Sequence, residues 1–245
     1  MKMSGLQNLL IGLFLLPLSS LAADSVQLDK APINPNNKAS LQRGAKIFVN
    51  YCLNCHSAAY MRYNRLAEIG LSEEQIKGNM LLAGDKVGDT MLVNMSKADG
   101  NAWFGAAPPD LTVEARARGA DWLYSYMRGF YRDDTRPTGW NNVVFDKVAM
   151  PHVLWQLQGV QELSAESSKA QHSGSATSGL VLKEQGLLTP TEYNAMVADL
   201  VNYMVFMSEP ARQERHHVGI YVLMFLGLLL VLTYLLKKEF WKDVE

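Results

Sequence analysis

Apolar residues recur at helical spacing in several stretches of this chain, and a long, uniformly apolar run closes it. Leu41, Ile47, Phe48 and Tyr51 share one side of a helix that Ser40 would cap. Ser72-Glu73-Glu74-Gln75 is a capping-box pattern and opens a short helix. Trp122, Tyr126 and Phe130 stand at helical spacing in a helix from Trp122 to Phe130, with Asp121 as its cap and core packing as the ordinary role of the three rings. Thr189-Pro190-Thr191-Glu192 sets up another helix, with Thr189 as N-cap, Pro190 at the first position and Glu192 at the third. Its apolar face carries Tyr193, Met196, Val197, Leu200, Val201 and Met204, and Glu209-Pro210 ends it.

Between these helices the periodicity fails. Residues 24–37 are polar and hold Pro32 and Pro35, which suits an extended arm. Met61, Arg62, Tyr63 and Arg65 read as helix surface with some packing. Residues 78–105 are rich in Gly, Asp and Asn and read as loop. Residues 133–142 are turn-rich, and 161–179 shift to Ser, Ala, Gly and Gln, as in a loop or hairpin. The prediction is a mostly all-α fold with inserted loops.

The two ends fix the compartment. Lys2, an apolar run from Leu9 to Leu18, and Ser20-Leu21-Ala22 form a secretory signal with a small-x-small cleavage site, so cleavage is expected after Ala22 or Ala23 and residues 1–22 are taken as the signal. Val218 to Leu236 contains no charged residue and is long enough for one transmembrane helix. Basic residues flank it on both sides in similar number, so the export signal sets the orientation. The expected organisation is an exported domain over 23–209, a linker at 210–217, a span at 218–236 and a cytoplasmic tail at 237–245. That places the domain in the periplasm, anchored to a bacterial inner membrane. The formal net charge of −1 gives no basis for nucleic-acid binding or for strong global steering of a partner.

The chemistry concentrates in Cys52-Leu53-Asn54-Cys55-His56, which holds both cysteines of the 245-residue chain. The C-x-x-C-H spacing suits a covalently attached c-type haem: two thiols add to the vinyl groups, and His56 supplies an axial nitrogen. A disulfide, a thioredoxin-like dithiol and half of a zinc site are the bland alternatives. Zinc wants four ligands, and no second cysteine pair exists. One motif means one haem.

A carrier fills the sixth position too. A methionine thioether is soft, favours ferrous iron and raises the potential. Among Met61, Met80, Met91, Met95, Met127 and Met150, the last sits in a non-helical approach fixed by Pro151 and is the candidate; His152 is its rival. A backbone carbonyl should accept the other ring N–H of His56, and the Pro108-Pro109 stop offers one, with Pro109 the named candidate. Arg116 and Arg118 are either a solvated helix face or partners of a haem propionate.

In their order, Cys52-Leu53-Asn54-Cys55-His56, Ala107-Pro108-Pro109-Asp110-Leu111, Arg116-Ala117-Arg118, Met150-Pro151 and Glu209-Pro210 before a single span resemble the cytochrome c1 family. These are haem subunits of ubiquinol–cytochrome c reductase, the cytochrome bc1 complex. The resemblance covers most of the mature chain. It implies a class I cytochrome c-like haem domain with inserted loops, Met150 as sixth ligand, and Arg118 ahead of Arg116 as propionate partner. It also implies cytochrome b and the Rieske iron–sulfur protein as partners and a soluble or tethered cytochrome c as acceptor. Such a subunit transfers electrons within an oxidoreductase and makes no bonds of its own. Two other readings stay open: a free-standing tethered cytochrome c that feeds an oxidase or reductase, and a haem-based sensor.

Overall fold

The computed structural model describes residues 26–164 and 176–242. The expected signal peptide, the middle of the 161–179 stretch and the last three residues of the tail lie outside them. Helix α1 (Lys38–Ile47) runs into one π-helical turn (Phe48–Cys52) that ends on the first cysteine. Strand β1 (Ala58–Arg62), a 3-10 segment (Tyr63–Ile69), helix α2 (Glu73–Asn79), strand β2 (Thr90–Met91) and helix α3 (Lys97–Phe104) follow. Helices α4 (Glu114–Arg118) and α5 (Ala120–Arg128) lead to strands β3 (Phe130–Arg132) and β4 (Trp140–Asn142). Helix α6 (Trp155–Gln158), strands β5 (Gly159–Leu163) and β6 (Leu180–Gln185), helix α7 (Pro190–Ser208) and helix α8 (Arg212–Phe240) complete the order. Among the described residues the strands pair as three antiparallel two-stranded ribbons, β1 with β2, β3 with β4 and β5 with β6.

The core is organised by α1 crossing α7. A Cβ on Gly44 would fall 2.0 Å from the Asp199 carbonyl oxygen and 2.7 Å from Tyr203 Cβ, so the two backbones touch there. Beside this point Arg43 grips the Asp199 carboxylate through two contacts of 2.5 and 3.0 Å. The Phe48 and Tyr203 rings pack 5.5 Å apart, and buried Asn202 donates to the Ser40 hydroxyl and the Asn34 carbonyl. The capping box at Thr189 and Glu192 forms as expected and starts α7 rigidly. The crossing therefore fixes where α1 ends, and with it the position of Cys52.

Several local expectations change. The cap of α1 is Asn37, whose side chain accepts from the Ser40 amide; Ser40 is buried and spends its hydroxyl on Asn202. Met61 and Arg62 lie in a strand, because the amides of Ala59 and Tyr60 are held by Asp110 and Thr112 from a distant loop. Part of the glycine-rich region is helix α3, capped by Ser96 and closed by Gly105 at φ 77°. Asp121 is inside α5 rather than before it: Gly119 starts that helix, and the Asp121 carboxylate accepts from the Ala31 amide and the Lys30 ammonium of the N-terminal arm. Phe130 begins a strand. Of the stretch 161–179, residues 161–163 lie in β5, which pairs with β6; the residues between 164 and 176 lie outside the described ones.

Helix α8 begins at Arg212, inside the stretch read as a linker, and the break at Glu209-Pro210 shrinks to a turn. From Glu214 to Phe240 the helix is long and apolar enough to cross a membrane, and none of it is buried by the rest of the chain. Apolar residues such as Leu223, Leu230 and Phe240 are exposed along it. A helix that is apolar all round and uncovered calls for lipid or other helices around it.

Candidate haem site

Cys52, Cys55 and His56 line a cleft of about 300 Å³ between the end of α1, the segment before α4, α5 and the Val148–Val153 segment. Its floor includes Leu200 and Met204 of α7. The wall is mostly apolar; its polar groups are Glu114, Arg118, the motif side chains, the Tyr51 and Tyr126 hydroxyls and the Trp122 indole. Both cysteines are free thiols, Cys52 buried and Cys55 half-buried. Burial pushes the Cys52 thiol up to about 12, and Cys55 moves the same way. Neither is therefore a ready thiolate of the kind a reactive dithiol uses. Among the described residues no group of three or more His, Cys, Asp or Glu is arranged to hold a metal ion.

His56 Nδ1 sits 2.8 Å from the Pro109 carbonyl oxygen. A carbonyl only accepts, so Nδ1 carries the proton and Nε2 is the bare nitrogen. Burial lowers the pKa of His56, partly opposed by the Pro109 carbonyl, so the ring is neutral at physiological pH. That is the protonation state a metal-ligating imidazole needs. The Pro109 carbonyl is itself held in place. Leu111 donates to the Ser57 carbonyl at 2.8 Å, and Asp110 accepts from the amides of Ala59 and Thr112 at 2.8 and 2.9 Å. The Pro-Pro-Asp-Leu run is thereby stapled to the strand that leaves His56.

Met150 lines the same cleft, as do Met127 and Met204, whereas Met61, Met80 and Met91 are buried elsewhere in the core. Met150 Sδ accepts from the Tyr126 hydroxyl at 3.4 Å. The rival, His152, is not part of the cleft wall. Its ring stacks on Phe130 at 4.8 Å and meets the edge of Trp140 at 5.1 Å, with the Gln158 side chain beside it. Burial lowers its pKa to about 4, so it packs as a neutral aromatic.

The two arginines part company. Arg118 lines the cleft, bonds Glu114 at 3.1 Å and lies 4.7 Å from the Trp122 ring centre. Arg116 points to Glu209, 3.9 Å away, on the side of the anchor. Three groups escaped the sequence reading: Asp110, which holds the Pro109 turn; Glu114, beside Arg118; and Tyr126, expected only as packing. The Asp in Pro-Pro-Asp-Leu was a visible signal for the first. Nothing local announced the others.

An apolar cleft lined by two thiols, a neutral imidazole with a bare Nε2 and a thioether fits a covalently held haem c. The Cytochrome C1 family matches residues 29–90 and 83–244. A protein named ammonia monooxygenase gamma subunit from Nitrosomonas europaea is 51% identical over 238 residues, 97% of each chain. Cytochrome c1 of Allochromatium vinosum is 48% identical over 244 residues, covering 98% of this chain and all of the relative. Cytochrome c1 of Rhodospirillum rubrum is 28% identical over 239 residues, 85% of this chain and 83% of the relative. Fold, cleft and relatives converge: this chain belongs to the cytochrome c1 family, whose members are membrane-anchored electron-transfer subunits of the bc1 complex with one covalently attached haem c.

Proposed function

We propose that this subunit takes an electron from the Rieske iron–sulfur cluster and passes it to a soluble or tethered cytochrome c, with its haem domain in the periplasm. When bound, the haem iron supplies a one-electron ferric–ferrous couple. Cys52 and Cys55 would hold it through thioethers, and His56 Nε2 and Met150 Sδ would take the two axial positions. The Pro109 carbonyl fixes the tautomer and plane of His56. Arg118 is placed to meet a propionate; Arg116, occupied with Glu209, is the lesser candidate. The apolar wall keeps water out and so favours the less charged ferrous state. The anchor α8 keeps the domain at a high effective concentration beside cytochrome b and its donor. The observation that carries this reading is that His56 and Met150 face one apolar cleft that also holds both thiols.

Gentle purification from membranes tests it. Cytochrome b and a Rieske cluster should come with this subunit. The name of the Nitrosomonas relative offers a second reading, a subunit that accompanies a monooxygenase. Isolation with such an enzyme, and without b-type haem, would favour that reading. Isolation alone, with electron transfer intact after removal of the anchor, would favour a free-standing cytochrome.

A further inference from the structure

The Tyr126 hydroxyl has one hydrogen-bond partner among the described residues, and it is Met150 Sδ at 3.4 Å. Sulfur is a large, weak acceptor, and this distance is normal for it. The phenol cannot easily turn away. Its ring is stacked on Trp122 at 4.8 Å and 11°, and Phe130 meets it edge-on at 5.1 Å. Trp122 is in turn held by the Arg118 guanidinium, 4.7 Å from its ring centre. All three aromatic residues sit four apart along α5 and its exit, so one helix sets the whole stack.

We propose that Tyr126 is a positioning residue for electron transfer, holding the Met150 sulfur by a hydrogen bond that sets both its orientation and its donor strength. The inference rests on the reading of Met150 as the sixth ligand. A methionine side chain has three free rotations and packs adaptably. A donor on one sulfur lone pair leaves the other as the only one to offer iron. It also withdraws electron density from the sulfur. Ferric iron depends more than ferrous iron on electron donation from its ligands, so the bond favours the reduced state.

Tyr126→Phe keeps the ring and the stack and removes only the hydroxyl. At a fixed ambient potential the ferrous-to-ferric ratio should fall by about threefold to tenfold, tenfold being about 59 mV for one electron. The methionine-to-iron charge-transfer band should persist but move. A change in the ratio of less than about 1.5-fold, with an unmoved band, would show that Tyr126 only packs. Met150→Leu separates the two claims. If the band survives that change, the ligand assignment falls and this inference with it. If the band is lost there while Tyr126→Phe does nothing, only this inference falls. Should Tyr126→Phe fail to mature, the parent protein still decides. In its ferrous form, proton NMR should show a slowly exchanging phenolic proton close to the Met150 methyl group, and its absence would overturn the proposal.

Discussion

His56 and Pro109 meet at 2.8 Å although 53 positions separate them. The contact is between a ring nitrogen and a backbone oxygen, so no side chain at 109 makes it. What proline contributes is a fixed φ on the N-terminal side of that carbonyl. Asp110, Leu111 and Thr112 then bond the strand leaving His56 and hold the turn against it. A loop and a motif far apart in the chain thus act as one mount for the imidazole.

Covalent attachment should depend on both thiols additively. Mass measurement of the processed polypeptide should show one haem adduct. Cys52→Ala or Cys55→Ala alone leaves one thioether possible, and the double variant should lose haem under denaturing electrophoresis.

Ligation at Met150 has its own signature. Met150→Leu should abolish the methionine-to-iron charge-transfer band and open the reduced protein to carbon monoxide. Retention of the band would point to Met127 or Met204, which share the cleft.

The arginines should separate in a redox titration. Arg118→Gln removes a cation from the cleft wall and should lower the ferrous-to-ferric ratio about threefold, as expected for one half-exposed charge. Arg116→Gln should leave the ratio within error, since that side chain faces Glu209.

Gly44→Ala tests the helix crossing. Its methyl would enter the Asp199 carbonyl, and backbone cannot yield as a side chain does. A loss of about 3 kcal/mol is expected, read as a lower unfolding midpoint. Potential in the surviving folded fraction should change little.

Acid should loosen the N-terminal arm through Asp121. The Ala31 amide, with the Lys30 ammonium assisting, holds that carboxyl below its ordinary 3.8. The stabilisation is therefore fully present above 3.8 and is lost as pH falls through the lower folded value. Asp121→Asn should cost about 1 kcal/mol at neutral pH, given the exposure of the site. It should also flatten the acid end of a plot of urea midpoint against pH.

Much of the architecture was legible from local chemistry. The capping boxes at Ser72 and Thr189 and the closing apolar run are decided by residues three or four apart, or by a continuous run, and they form as read, although the closing helix starts earlier, at Arg212. Where the reading failed, a distant partner intervened. Ser40 looks like a cap until Asn202 claims its hydroxyl. Asp121 looks like a cap until the arm at Ala31 reaches it. Met61 and Arg62 look helical until Asp110 and Thr112 take the amides beside them.

The sequence by itself determined that a haem-binding motif stands ahead of a single apolar helix long enough to span a membrane, because C-x-x-C-H and the span are each contiguous. It could name Met150 and two arginines as candidates and go no further. Only the tertiary structure decided that Met150 lines the cleft while His152 turns into Phe130 and Trp140, and that Arg118 faces the site while Arg116 faces the anchor. The physical reason is that neighbours in the chain share their local signals. Which way each side chain points is set by packing against elements far away in sequence.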